Sequence, residues 1–418
     1  MASLIVRGGR PLSGSIAVDG NKNAALPLLA ACVLTPETCE LRNVPQIRDV
    51  AVMLSLLRSL GATVEGEGTS TLRVTCAEVT SGTPDPALVG RLRGSVMLMG
   101  SLLARVGWAT LAPPGGDFPA RRTITTHLRA LVALGAQVTE GGGGHRLEAP
   151  KGLKGASMYL LEASVTGTET ALMAAAAADG VTEIRHAAEE PHVAELCQFL
   201  RAMGAGVSGD GTSTVRVTGN RTLKGATHTL RGDYIEAASW GVVGAVTGSE
   251  LTITGCHAVD LEPTTSVLAE MGLSFDLDDK AFVVRRSTLR ASKRVTTGLW
   301  PAFPSDIVSL VTVLATQAEG RTLLHDWMYE LRLFALEQLS SMGADLFLCD
   351  SHRIIVTGPS RLRGRVLDSR DIRSGMALVA AALVAEGESR VLEIETVERG
   401  YADLVNRLTA LGADVERV

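Results

Sequence analysis

Hydrophobic positions along this chain fall into two recurring arrangements. In the first, small and branched apolar residues run on with no polar face: NAALPLLAACVL, GSVMLMGSLLARVG, ETALMAAAAADG, IEAASWGVVGAVTG, DIVSLVTVLATQAEG and SGMALVAAALVAEG. A helix that is apolar all round belongs inside a fold, so these predict six buried helices. In the second, an apolar-periodic stretch ends in Leu- or Met-Gly and passes into a short strand-like run: SLLRSLGATV, ALVALGAQV, FLRAMGAGV, VLAEMGLSF, QLSSMGADL and RLTALGADV. The glycines are Gly61, Gly135, Gly204, Gly272, Gly343 and Gly412, spaced 74, 69, 68, 71 and 69 residues apart. A glycine there predicts a left-handed helix end followed by a strand.

Such even spacing marks an internal repeat of about 70 residues. β-type runs such as TEIRH, SELTITG and SRVLEI follow the apolar helices, and Leu-x-Gly entries (PLSGSIAV, GLKGASMYL, TLKGATHTL, RLRGRVL) open further strands. Each unit reads strand, helix, strand, helix, strand, strand. One unit cannot bury its apolar helix alone. Three can, with the helices inside and the sheets outside, so six units predict two lobes. The competing reading is a doubly wound sheet with accidental phrase similarity. The seam falls near residue 230: residues 22–229 form a first lobe carrying a loop at 112–122, and residues 1–21 with 230–418 form the second. If the opening strand pairs in the second lobe the chain crosses twice, a pairing that the spacing does not fix.

The chain has 418 residues, 46% of them hydrophobic and 20% charged, so a disordered chain is excluded. A net charge of −5 argues against a general nucleic-acid binder. Uncharged runs such as Ala24 to Pro36 fall short of the ~20 residues of a membrane helix, and the start MASLIVRGGR has no secretory h-region. The six cysteines show no CxxC pair, which predicts reduced thiols in a cytoplasmic protein.

Every apolar helix begins with a polar cluster: GNKN, RLRGS, SVTGTE, GDYIE, FPSD and SRDIRS. Helix starts expose unpaired N–H groups and carry partial positive charge. Asp233, Asp306 and Asp371 therefore read first as N-caps. Cations are different. Lys22, Arg93 and Arg373 oppose the dipole unless an anion is near, and a helix start with a cation is an anion site. Arg122, Arg332 and Arg399 stand near other segment ends and could join them; solvated surface arginines are the plainer reading, since the chain has 34 arginines against six lysines. That scarcity makes Lys22 the sharper signal. The stretch APPGGDFPARR, 112–122, is a glycine-hinged loop with Asp117 at its centre, either a lid over a charged substrate or a surface turn. No P-loop, HExxH or strand-flanked GxGxxG is present.

The repeats, with GNKNAALP, LRGS, PGGD, SVTGTE, FPSD, RDIR and ERGY, resemble the UDP-N-acetylglucosamine enolpyruvyl transferases from about residue 4 to the C-terminus. That resemblance implies an α/β fold, the inside-out α/β barrel of EPSP synthase, and transfer of enolpyruvyl from phosphoenolpyruvate to the 3′-hydroxyl of UDP-N-acetylglucosamine, with no metal or cofactor. It implies that Lys22, Asn23, Arg122, Arg332, Arg373 and Arg399 bind phosphoenolpyruvate. It assigns Asn23, Arg93, Arg122, Ser164, Val165, Asp306 and Met328 to the UDP-sugar, with Asp306 as base and Asp117 and Lys22 also catalytic. Phosphoenolpyruvate and the UDP-sugar are the partners implied, with no nucleic acid and no membrane.

Four departures stand out. Asp117 occupies the usual cysteine position. Thr123, Ile124, Thr125 and Thr126 follow Arg122 where the family has Pro-Val-Asp-Leu. Leu331 replaces an Asn, and Glu189 an Arg. Two alternatives stay open: a 5-enolpyruvylshikimate-3-phosphate synthase, whose usual motifs Asp-Lys-Ser and Gly-Asn-Ala-Gly-Thr read GNKN and LRGS here, and a catalytically silent sugar-nucleotide-binding paralogue.

Overall fold

The computed structural model describes residues 2–115, 123–141, 143–330 and 332–418. The six apolar stretches are helices: α1 (Lys22–Ala31), α2 (Leu98–Val106), α3 (Val165–Ala176), α4 (Tyr234–Val246), α5 (Val308–Gln317) and α6 (Ile372–Val384). Every residue of α4 is buried, as the lack of a polar face demands. α2 and α5 start later than the pattern suggests, because a 3₁₀ turn precedes each, at Arg93–Met97 and Ser305–Ile307. Close packing leaves little slack: a Cβ on Gly241 of α4 would stand 2.4 Å from Phe282 Cε1.

The repeat glycines end the second helix of each unit, and all six have φ between 88° and 106°. An L side chain is strained there, which is why the same residue recurs.

Among the described residues the strands form six small sheets, five mixed ones of four strands and one antiparallel one of three. One repeat shows the plan. Ser157–Tyr159 runs parallel to Val181–Arg185 across α3, and Thr214–Thr218 and Gly206–Ser208 add on antiparallel. This is the strand and helix order that the sequence predicts, an α/β fold with apolar helices covered by sheets.

Two exchanges close the pattern. Ser13–Ala17 pairs in parallel with Glu250–Thr254, in register from Ser13↔Glu250 to Ala17↔Thr254. Thr227–Thr229 pairs in parallel with Thr38–Arg42. Leu4–Arg7 lies between Glu388–Leu392 and Asp414–Arg417, antiparallel to both, and so completes the last repeat with the first strand of the chain.

Two compact units result. The first runs from Gly20 to Leu230; the second holds the segment up to Asp19 and Arg231–Val418. The opening segment is fastened inside the second unit at Asp19. Its N–H donates to Glu236 Oε2 at 3.0 Å, and the other oxygen of Glu236 accepts from Trp240 Nε1 at 3.1 Å and from Arg407. Among the described residues no helix is long and apolar enough to cross a membrane.

Candidate active site

In the second unit, the caps that the sequence suggests separate into two kinds. Asp233 Oδ1 accepts the N–H groups of Ile235 and Glu236 at 2.9 and 3.1 Å, and Asp371 Oδ1 accepts those of Arg373 and Ser374 at 2.9 Å each. Both are N-caps. Asp306 is not: it lies within the 3₁₀ turn before α5, which has no side-chain cap. Its Oδ1 accepts from Arg332 Nη1 at 3.1 Å; its Oδ2 accepts from Arg373 Nε at 3.1 Å and stands 3.0 Å from Nη2. The capping reading of Asp306 is therefore corrected. Two guanidinium groups hold its carboxylate, and they are the more buried members: the side chains of Arg332 and Arg373 are 11% and 9% exposed, that of Asp306 28%. A ligand thus meets the carboxylate more readily than the arginines behind it. Burial is the largest single influence and works against the charge on both arginines, but Asp306 and the further acidic groups around them together outweigh it and raise the pKa of each.

Each arginine has its own support. Arg332 Nη1 also donates to Ser305 Oγ at 2.7 Å, and its guanidinium lies 4.2 Å from the Tyr329 ring centre. Ser305 in turn donates to Asp326 Oδ2 at 2.7 Å, and Asp326, fully buried, takes the Thr297 hydroxyl at 2.8 Å and the Met328 N–H at 3.2 Å. Arg373 Nη1 donates to the Tyr401 hydroxyl at 3.3 Å. Arg399 is half-buried in the turn that packs on the start of α6, where a Cβ on Gly400 would stand 2.6 Å from Ile372 Cγ2. So Asp306, Arg332 and Arg373 come together, Met328 sits behind them, and the turn of Arg399 adjoins.

In the first unit, Asn21 caps α1, accepting from the N–H groups of Asn23 and Ala24 at 2.8 and 3.2 Å. Lys22 follows as the first helical residue. The anion that its position calls for is supplied internally: Nζ lies 2.7 Å from Asp49 Oδ2, and that carboxylate is 4% exposed. Nothing in the sequence marked Asp49; it is one acid in the first turn of Arg48–Ser59. The 3₁₀ start of α2 packs on α1, since a Cβ on Gly94 would stand 3.1 Å from Leu26 Cδ1. Arg93 Nη2 donates to the Thr123 carbonyl at 3.0 Å. Ser164 caps α3 through the Gly167 N–H at 3.2 Å, and Val165 is its first residue. Thr126 donates to Glu162 Oε1 at 3.0 Å, and His127 Nε2 meets Thr166 Oγ1 at 2.9 Å. Arg93, Thr123–His127 and Ser164–Thr166 thus form one patch. Asp117, Arg122, Leu331 and most of the 112–122 loop lie outside the described residues.

The patch has a measurable pH signature. Burial, with Arg93 adding to it, pushes the His127 imidazole down from 6.5 to about 4. A histidine with a lowered pKa binds fewer protons when folded. Its stabilising contribution is present above 6.5 and is lost as pH falls through about 4. The contribution is on the order of 3 kcal/mol. The apparent Tm is expected to fall between these limits, and less steeply in His127→Gln. An equal slope in the two proteins contradicts the assignment.

Among the described residues no group of His, Cys, Asp and Glu is arranged to hold a metal. The six cysteines are free thiols, five of them buried.

The family model of EPSP synthase (3-phosphoshikimate 1-carboxyvinyltransferase) matches residues 6–408. The chain belongs to that enolpyruvyl transferase family. It is similar to the UDP-N-acetylglucosamine 1-carboxyvinyltransferase of Bradyrhizobium diazoefficiens, with 45% identity over 99% of this chain and 97% of the relative. It is likewise similar to that of Treponema pallidum, with 44% identity over 99% of both. Among solved structures, the enolpyruvyl transferase NikO from Streptomyces tendae matches with a TM-score of 0.90 at 25% identity, covering 100% of this chain and 99% of that one. EPSP synthase from Acinetobacter baumannii matches with a TM-score of 0.77 at 20% identity over 100% of both chains, a likeness of fold.

Proposed function

We infer that this chain is a UDP-N-acetylglucosamine 1-carboxyvinyltransferase. It transfers enolpyruvyl from phosphoenolpyruvate to the 3′-hydroxyl of UDP-N-acetylglucosamine and releases phosphate, the first committed step of peptidoglycan synthesis, in the cytoplasm. The observation that carries this reading is identity of 44–45% to two enzymes of that name across nearly the whole of each chain.

The residues support specific roles. The reaction protonates C3 of the enol phosphate, joins the sugar oxygen to C2, and then breaks the C2–O bond to phosphate with loss of a proton from C3. It needs an acid, a base and fixed cations. Asp306, the least buried member of its cluster, takes the proton of the 3′-hydroxyl. Asp117 supplies the proton to C3; a carboxylic acid serves there when burial keeps it protonated. Lys22, Arg122, Arg332, Arg373 and Arg399 hold the phosphate and carboxylate of phosphoenolpyruvate, with Asn23 beside them. Asn23, Arg93, Arg122, Ser164, Val165 and Met328 hold the UDP-sugar.

Arg332 and Arg373 bind Asp306 before substrate arrives. An incoming dianionic phosphate competes for the same guanidinium groups, and binding then frees the carboxylate to act as base. An aspartate at position 117 offers no thiol, so the protein is insensitive to fosfomycin, the epoxide that alkylates cysteine there.

Phosphate release from phosphoenolpyruvate, measured with UDP-N-acetylglucosamine and with shikimate 3-phosphate in parallel, tests the reading. Release with the first acceptor alone is expected. Release with shikimate 3-phosphate alone, or with neither, sinks it.

A further inference from the structure

Arg373 is tied on two sides. One edge of its guanidinium faces Asp306; from the other, Nη1 donates to the Tyr401 hydroxyl at 3.3 Å, and the Tyr401 ring centre lies 5.7 Å from its central carbon. Tyr401 is fully buried, among the largest side chains of the core. Its hydroxyl is 2.8 Å from Ser239 Oγ on α4, and Ser239 donates to the Ile235 carbonyl one turn earlier at 2.6 Å.

The direction of this chain follows from counting protons. A serine hydroxyl has one proton, and Ser239 gives it to Ile235. Toward Tyr401 it can therefore only accept. The phenol proton points at Ser239, and the phenol oxygen is left to accept from Arg373. Burial pushes the Tyr401 phenol up, so it keeps the proton that the arrangement needs. Each link is satisfied in one sense: Arg373 to Tyr401, Tyr401 to Ser239, Ser239 to the backbone of α4. The start of α6 is thereby registered against α4, while its arginine reaches the turn before α5.

We propose that Tyr401, backed by Ser239, is a positioning residue for enolpyruvyl transfer: it fixes the rotation of the Arg373 guanidinium and so the edge that Arg373 turns toward Asp306 and the enol phosphate. This rests on the roles given to Arg373 and Asp306 above. Without the phenol oxygen, Nη1 becomes a buried donor in want of an acceptor. The guanidinium then turns to find one, and its opposite edge leaves the reacting groups. Small displacements of this kind are costly, about 10²-fold for 1 Å.

Tyr401→Phe keeps the ring and removes the acceptor. In the full-length protein, kcat/KM for phosphoenolpyruvate is expected to fall about tenfold or more, with KM for UDP-N-acetylglucosamine within about twofold of wild type. In an Arg373→Lys background the same substitution is expected to cost little further, because both act through one group. Wild-type kinetics in Tyr401→Phe, or full additivity with Arg373→Lys, overturns the proposal. If Tyr401→Phe does not fold, Ser239→Ala removes the acceptor of the phenol proton. It is expected to lower the same parameter by a smaller factor, and unchanged kinetics overturns the proposal equally. Asp306→Asn assayed alongside separates the two levels. If Asp306→Asn is fully active, the reading of the site fails; if it is inactive while Tyr401→Phe is normal, only the positioning role fails.

Discussion

Asp306→Asn is expected to lower kcat by roughly 10²–10⁴-fold, the usual worth of a placed acid or base. The amide keeps the size of the side chain and can still accept a hydrogen bond from an arginine. It cannot take up the proton of the sugar hydroxyl. It also leaves Arg332 and Arg373, largely buried and facing the same group, without their shared counter-charge. The affinity for UDP-N-acetylglucosamine, measured by calorimetry, is expected to change far less than kcat, since the proposed reading gives the nucleotide to Arg93, Ser164 and Val165. Turnover within about threefold of wild type would remove Asp306 from the role of base.

The second large effect concerns Asp117. Asp117→Asn cannot donate the proton to C3, and kcat is expected to drop by a comparable ~10²–10⁴-fold. Asp117→Cys restores a group able to donate and is expected to remain active. It should also become open to alkylation, so that fosfomycin inactivates it with one equivalent bound, whereas the natural protein retains its activity under the same treatment. Stoichiometric inactivation of the natural protein contradicts the assignment, as does normal turnover by Asp117→Asn.

The repeat architecture was legible because it is written in backbone chemistry. A glycine at each left-handed helix end and a helix with no polar face are local requirements, and six copies at even spacing leave little choice of fold. What depends on partners far along the chain was not legible. Asp233, Asp306 and Asp371 look alike in sequence, each at a helix start. Two cap and one does not, because Arg332 and Arg373, 26 and 67 residues away, claim the carboxylate of Asp306.

Lys22 could be singled out by its rarity and its place against the helix dipole. Its partner Asp49 could not, since an acid in the first turn of an amphipathic helix is ordinary. Asp326 and Ser239 escaped for the same reason: each is a common polar residue whose role comes from what stands beside it. Tyr401 lay in a motif that the sequence offered, ERGY, but its partner on α4 is 162 residues earlier. The pairing of Ser13–Ala17 with Glu250–Thr254, and of Thr227–Thr229 with Thr38–Arg42, also depends on register with distant strands, which alternation alone does not encode.

Carbon-labelled phosphoenolpyruvate, incubated with the protein and UDP-N-acetylglucosamine and followed by NMR, examines the bond that is made. An enol ether carbon attached to the sugar 3′-oxygen, formed in step with an equal amount of free phosphate, is the predicted result. Labelled phosphoenolpyruvate recovered unchanged, or its label joined to an added shikimate 3-phosphate instead, would contradict it.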